Sequence, residues 1–132
     1  MPYQITWESR GVYGKFQGDL SSGEFFAAIQ SIISDLRFPS AAYRLYDFSE
    51  VSGVQLSEDD IRTLSAMNYH SLMSRVQDHE RRVTAFVVSH ADTGRQLELF
   101  INAMQFPSRR KILADLQEAR AWIAESLGQQ AG

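Results

Sequence analysis

Serine, histidine and aspartate are the residue types in this chain that could support nucleophilic chemistry. Ser57, Ser89 and His90 accompany Asp47, Asp92 and Asp115 near the ends of apolar stretches. Hydrolysis by such a set needs a serine hydroxyl in hydrogen-bond reach of an imidazole that a carboxylate orients. The chain has no Gly-x-Ser-x-Gly elbow, and so no strained nucleophile is marked. Helix capping accounts for Ser57, Asp92 and Asp115 without any substrate. No residue is therefore assigned a catalytic role.

Metal and phosphate chemistry find less support. The three histidines are His70, His79 and His90. Chelation from one helix needs a spacing of three or four residues, and His70 and His79 lie nine apart. Cysteine is absent, which removes thiolate metal sites, iron–sulfur clusters, disulfides and cysteine nucleophiles together. Ala91-Asp92-Thr93-Gly94-Arg95 opens a helix, and a helix start offers free N–H groups to anions. It lacks both glycine-rich nucleotide motifs, and Asp92 would repel a phosphate. Neither a metal nor a cofactor is expected.

The elements that must position these residues follow from hydrophobic period. Tyr3, Ile5 and Trp7 alternate with polar residues, and Ser9-Arg10-Gly11 supplies a turn into a second strand over 11–18. Phe25, Ile29, Ile32, Ile33 and Leu36 form one helical stripe over 21–36, which Pro39 ends. Residues 42–48 read as a strand, and Gly53 falls in a loop. Ser57, three acids, and the Leu56/Ile61 spacing mark the start of a helix running to about residue 79. Val83 to Ser89 is a continuous apolar run, as in a strand covered on both faces. Asp92 is expected to cap the next helix, which Pro107 breaks. A short strand at 110–113 precedes a last helix capped by Asp115.

The order ββαβαβαβα predicts an α/β fold. Its five-stranded mixed sheet opens with an antiparallel hairpin, continues with parallel strands, and carries helices on both faces. The whole chain, 1–132, reads as a single domain. In open α/β sheets ligands favour the carboxyl ends of the parallel strands. That rule selects Asp47 and Ser49 after the third strand and Ser89 and His90 after the fourth, with Ser57 on the same rim. These five are the candidate binding residues.

The chain holds 132 residues, 44% of them hydrophobic, with net charge −3. Length and hydrophobic content suit a globular core that needs no staple. The charge disfavours nucleic acid, which selects a concentrated basic surface. No apolar run approaches the roughly 20 residues of a membrane span, and the first residues lack a signal peptide's basic and apolar regions. A cytoplasmic protein is expected. Arg81, Arg82, Arg109, Arg110 and Lys111 would gather at the amino ends of the strands, opposite the acids.

Several stretches, taken in order, resemble the SpoIIAA-like or STAS-like domains, small bacterial proteins related to anti-sigma-factor antagonists. They are the strand pair ending in Gly18, Tyr46-Asp47-Phe48-Ser49-Glu50-Val51, Leu56-Ser57, and Asp115-Leu116-Gln117-Glu118-Ala119-Arg120-Ala121-Trp122-Ile123. The resemblance covers nearly the whole chain. It implies a sheet packed by helices and used in bacterial signalling by protein contact rather than catalysis. In the antagonists a serine opening the second helix is phosphorylated, and Ser57 is the matching position. There the antagonists carry an Asp-Ser-Ser/Thr-Gly-like stretch, whereas this chain has Leu56-Ser57-Glu58-Asp59-Asp60. A phosphoserine beside three acids would meet repulsion, which a helix start only partly offsets.

Two functions follow. The first is a non-catalytic regulatory or protein-interaction module, homodimeric, using Asp47, Ser57 and the second helix with Met67, Tyr69 and Met73. The alternative is a binder of a small, apolar or lipid-like ligand, or an enzyme, at the rim of Asp47, Ser89 and His90.

Overall fold

The computed structural model describes residues 3–55, 57–63, 66, 82–92, 94–96, 98 and 109–131. Strand β1 (Tyr3–Trp7) turns through residues 8–11 into β2 (Gly11–Ser21), and the Glu8 N–H closes the turn on the Gly11 carbonyl at 2.8 Å. Helix α1 (Ser22–Ile33) follows, then a 3-10 turn (Phe38–Ser40), β3 (Tyr43–Gln55), β4 (Val83–Val87), β5 (Arg109–Leu113) and the C-terminal helix α2 (Leu116–Ala131). Residues 58–63 and 94–96 are also helical. The expected helix ends near residue 79 and 106, Pro107, Arg81, His70, His79, Met67, Tyr69 and Met73 lie outside the described residues.

The five strands form one sheet in the order β1-β2-β3-β4-β5. The first pair is antiparallel and the other three are parallel, which is the expected mixed α/β sheet. Right-handed crossovers between parallel neighbours taken in chain order favour one face of the sheet. Accordingly α1 and Ile61, from two successive connections, share one apolar cluster with Phe16, Phe48 and Phe86. Helix α2 leaves the last strand and covers the other face, where Ala119, Ile123 and Leu127 pack on Leu45, Ala85 and Val87.

The local reasons are visible in the sequence. Ser21 and Glu24 exchange side-chain and backbone bonds in a capping box that opens α1. Asp115 caps α2, accepting the Glu118 N–H at 2.8 Å. Gly11 faces Tyr43 so closely that a Cβ would stand 2.6 Å from its ring. All five residues of β4, Val-Thr-Ala-Phe-Val, are buried, as its apolar run predicts.

Three local expectations change. Helix α1 stops at Ile33, because the Ser34 hydroxyl turns back onto the Gln30 carbonyl at 2.6 Å. Leu36 therefore leaves the stripe and stands 92% exposed. Asp92 lies within the first helical turn rather than capping it, and its carboxylate pairs with Arg95. Strand β3 runs past Phe48 to Gln55, pairing with β2 along its whole length.

Candidate functional site

Two irregularities in the β2–β3 ladder build the polar surface of the molecule. Lys15 faces Asp47, but Gln17 faces Glu50, so one extra residue sits in β3 between them. A second extra residue follows between Val51 and Gly53, opposite Gly18, whose φ of 70° suits only glycine. Side chains alternate faces along a regular strand. The first bulge breaks that alternation and turns Glu50 to the same side as Asp47. The Ser49 N–H, inside the bulge, donates to Asp47 Oδ1 at 3.0 Å.

This side of the sheet is the α2 face, but α2 covers only its β3–β5 half. The other half displays Gln4 and Thr6 on β1, and Tyr13, Lys15 and Gln17 on β2. Asp47 is 3% exposed and receives the Tyr13 hydroxyl at 2.6 Å. Burial, reinforced by the Asp47 carboxylate, pushes the Tyr13 phenol well above the ordinary tyrosine range. Glu50 accepts Lys15 Nζ at 2.9 Å and Gln17 Nε2 at 2.8 Å. The hydrogen bond from Lys15 holds the Glu50 carboxyl below its usual value.

A second polar group locks the hairpin to the last helix. The Arg120 guanidinium grips both oxygens of Glu8, at 2.7 and 2.8 Å. It also lies over the Tyr13 ring, 5.4 Å from its centroid. Tyr43 donates its hydroxyl to the same Glu8 carboxylate. The Arg120 bond lowers the Glu8 pKa, while the Glu8 bond raises that of Arg120.

The structure brings four of the five sequence-derived candidates to one edge. Asp47 pairs with Val87 in register, and Ser89 and His90 follow one residue further on, after Val88. Adjacent strands stand about 4.8 Å apart, so Asp47 and Ser49 neighbour that loop. Ser89 donates to the Ala114 carbonyl at 3.3 Å, and His90 is exposed. Ser57 is carried elsewhere. The stretch from Asp47 to Gln55 is extended, roughly 25 Å of strand at ~3.3 Å per residue. At its end Ser57 is an exposed cap: its Oγ accepts the Asp60 N–H, and its own N–H donates to Asp60 Oδ2, both at 3.0 Å.

Glu8, Tyr13, Lys15, Gln17, Glu50 and Arg120 were absent from the sequence-derived candidates. Alternation along β2 already sets Tyr13, Lys15 and Gln17 opposite Val12 and Phe16, and could have marked them. Glu50 required the bulge, and Arg120 required a contact 112 residues distant from Glu8.

Among the described residues no group of three or more histidine, cysteine, aspartate or glutamate side chains could hold a metal ion. No described helix is long and apolar enough to cross a membrane. At the amino ends of the strands the cations do structural duty. Arg82 donates to the Ala41 and Pro39 carbonyls, Arg109 to the Ser126 carbonyl, and Arg44 is buried beside Phe38 and Tyr46.

This arrangement, a mixed five-stranded sheet with one antiparallel hairpin and helices on both faces, is a SpoIIAA-like fold. The unphosphorylated anti-sigma factor antagonist SpoIIAA is similar over 93% of this chain and 97% of its own, with a TM-score of 0.58 at 13% identity. The phosphorylated Bacillus cell fate determinant SpoIIAA is similar over 92% and 98%, with a TM-score of 0.55 at 15% identity. A DUF3478-family protein of SpoIIAA-like fold from Shewanella loihica PV-4 is similar over 92% and 91%, with a TM-score of 0.54 at 16% identity. No model of a known protein family matches this sequence, and no curated protein does. The likeness is one of fold.

Proposed function

We propose that the chain is a non-catalytic regulatory module that binds a protein partner where the carboxyl end of β4 lies beside the first bulge of β3, around Asp47, Ser49, Glu50, Ser89 and His90. The observation that carries this reading is the end-to-end likeness to SpoIIAA, an anti-sigma factor antagonist by name. The state of the polar side chains supports it. Ser89 spends its hydroxyl on a backbone carbonyl, and Asp47 holds a phenol and an amide rather than an imidazole. A rim of this kind offers fixed donors and acceptors to a partner, and fold likeness alone is no argument for any one chemistry.

Ser57 enters this reading as a cap rather than as a phosphate acceptor. A phosphate there would face Asp60, which it now bonds, and the exposed Glu58 and Asp59.

The test is enrichment from the native host with the full chain as bait. A discrete protein should be retained by the wild type and by Arg10→Glu, which lies at the opposite end of the sheet. It should be lost with Glu50→Lys/Ser89→Arg. Equal retention by all three, or none by any, would overturn the proposal.

A further inference from the structure

The two edges of the sheet differ in kind. Edge strand β5 reads Arg-Arg-Lys-Ile-Leu, and cations on an edge repel another strand. Edge strand β1 reads Tyr-Gln-Ile-Thr-Trp, with no charge and no proline. It pairs with β2 in unbroken register, so no bulge twists it away. Such an edge is a template for a further strand.

The hydrogen-bond phase of β1 selects the partner. The Glu8 N–H points inward, to Gly11. Groups alternate along an antiparallel strand, so Thr6 and Gln4 also bond inward. Tyr3, Ile5 and Trp7 then present their N–H and C=O outward, and no backbone bond from a described residue outside the β1–β2 ladder reaches them. We propose that a second copy of this chain pairs with β1, antiparallel, about a two-fold axis at Ile5.

That register uses every outward group. Ile5 exchanges both bonds with its symmetry mate, and Tyr3 does so with the partner's Trp7. On the α1 side the contact sets aromatic against aromatic around isoleucine, side chains that are only half-buried within one copy. On the other side it sets Gln4 against Thr6 with no like charges opposed. The partner's Tyr3 falls beside the open cleft of about 290 Å³ that holds Trp7, Arg37 and the exposed Leu36. Arg37 already stacks 4.7 Å over the Trp7 ring there. By symmetry each copy offers both halves of this contact, which closes as a dimer rather than growing into a fibre. The inference rests on β1 alone and stands apart from the rim proposed above.

Sedimentation of the full chain tests it, with variants at the two exposed positions Gln4 and Thr6. These oppose each other only across the proposed axis, and a Glu at position 4 faces Lys15 favourably within one copy. The wild type should sediment as a dimer. Q4E/T6E opposes acid to acid and should shift to the monomer. Q4E/T6K opposes acid to base and should return to the dimer. Circular dichroism should be the same for all three. A wild type that stays monomeric at its highest soluble concentration would overturn the proposal. So would a dimer indifferent to Q4E/T6E, or a Q4E/T6K variant that remains monomeric.

Discussion

Strands β2 and β3 show two different chemistries on their two faces. Toward α1, Val12, Phe16, Tyr46 and Phe48 are at most 1% exposed, and the Phe16 and Phe48 rings stack with centroids 4.9 Å apart. Toward α2, the same strands carry Tyr13, Lys15, Asp47 and Glu50, each tied to a polar partner. The apolar face stabilises by area removed from water, which is indifferent to bond direction. The polar face contributes little net stability per bond but fixes geometry. In this pair of strands the α1 face is apolar core, while the part of the α2 face that α2 leaves open keeps polar groups at its surface.

The largest expected effect breaks the apolar face. Phe16→Ala removes a ring packed on Phe25, Phe48 and Tyr46 and should cost about 3–5 kcal/mol in urea denaturation. Out of a typical total of about 5–15 kcal/mol, that leaves a marginal protein. Tyr13→Phe, on the opposite face, keeps the ring and removes the hydroxyl that Asp47 accepts. Asp47 Oδ2 then loses its donor, while Oδ1 keeps the Ser49 N–H, and a loss of about 1–3 kcal/mol is expected in the same assay. Equal losses for the two variants would erase the distinction between the faces.

Smaller effects sharpen it. Ser57→Ala removes an exposed helix cap and should cost about 1 kcal/mol, with Ser57→Gly milder. Arg120→Ala should cost less than about 1 kcal/mol at neutral pH, because its pair with Glu8 is partly exposed. Its signature lies in the pH dependence. The Glu8 pKa is lowered in the folded state, so its contribution is complete above about 4.5, the ordinary glutamate value. It fades as the pH falls through the lowered folded value. In Arg120→Ala the acid limb of the stability profile should flatten, as denaturation midpoints between neutral and acid pH would show. Unchanged acid limbs would mean that Glu8 is not held by Arg120.

Sequence period made most of the fold legible. Alternation in Tyr3–Trp7, the unbroken apolar run of Val83–Val87 and the capped start of α2 are local signals, and the structure follows them. The parallel order of strands came from chain topology rather than from any residue. Past Phe48 the local signal failed. Ser49 and Glu50 look like loop residues, and only the pairing of Glu50 with Gln17 and of Val51 with Gly18 carries the strand through them. The bulge that sets Glu50 beside Asp47 is likewise a property of two strands together. This is also why Ser57, expected on the common rim, sits at the far end of a long ribbon.

In the proposed function the two ends of the sheet differ, with a protein partner bound beside the carboxyl end of β4 and none at the end that carries Arg10. A photo-crosslinking residue placed at exposed Ser89 in intact cells of the native host tests it directly, with exposed Arg10 as the opposite-end control. One discrete heteromeric adduct is expected from position 89 and no heteromeric adduct from position 10, where only a second copy of this chain is expected within reach. Heteromeric adducts from position 10 alone, or none from position 89, would contradict it.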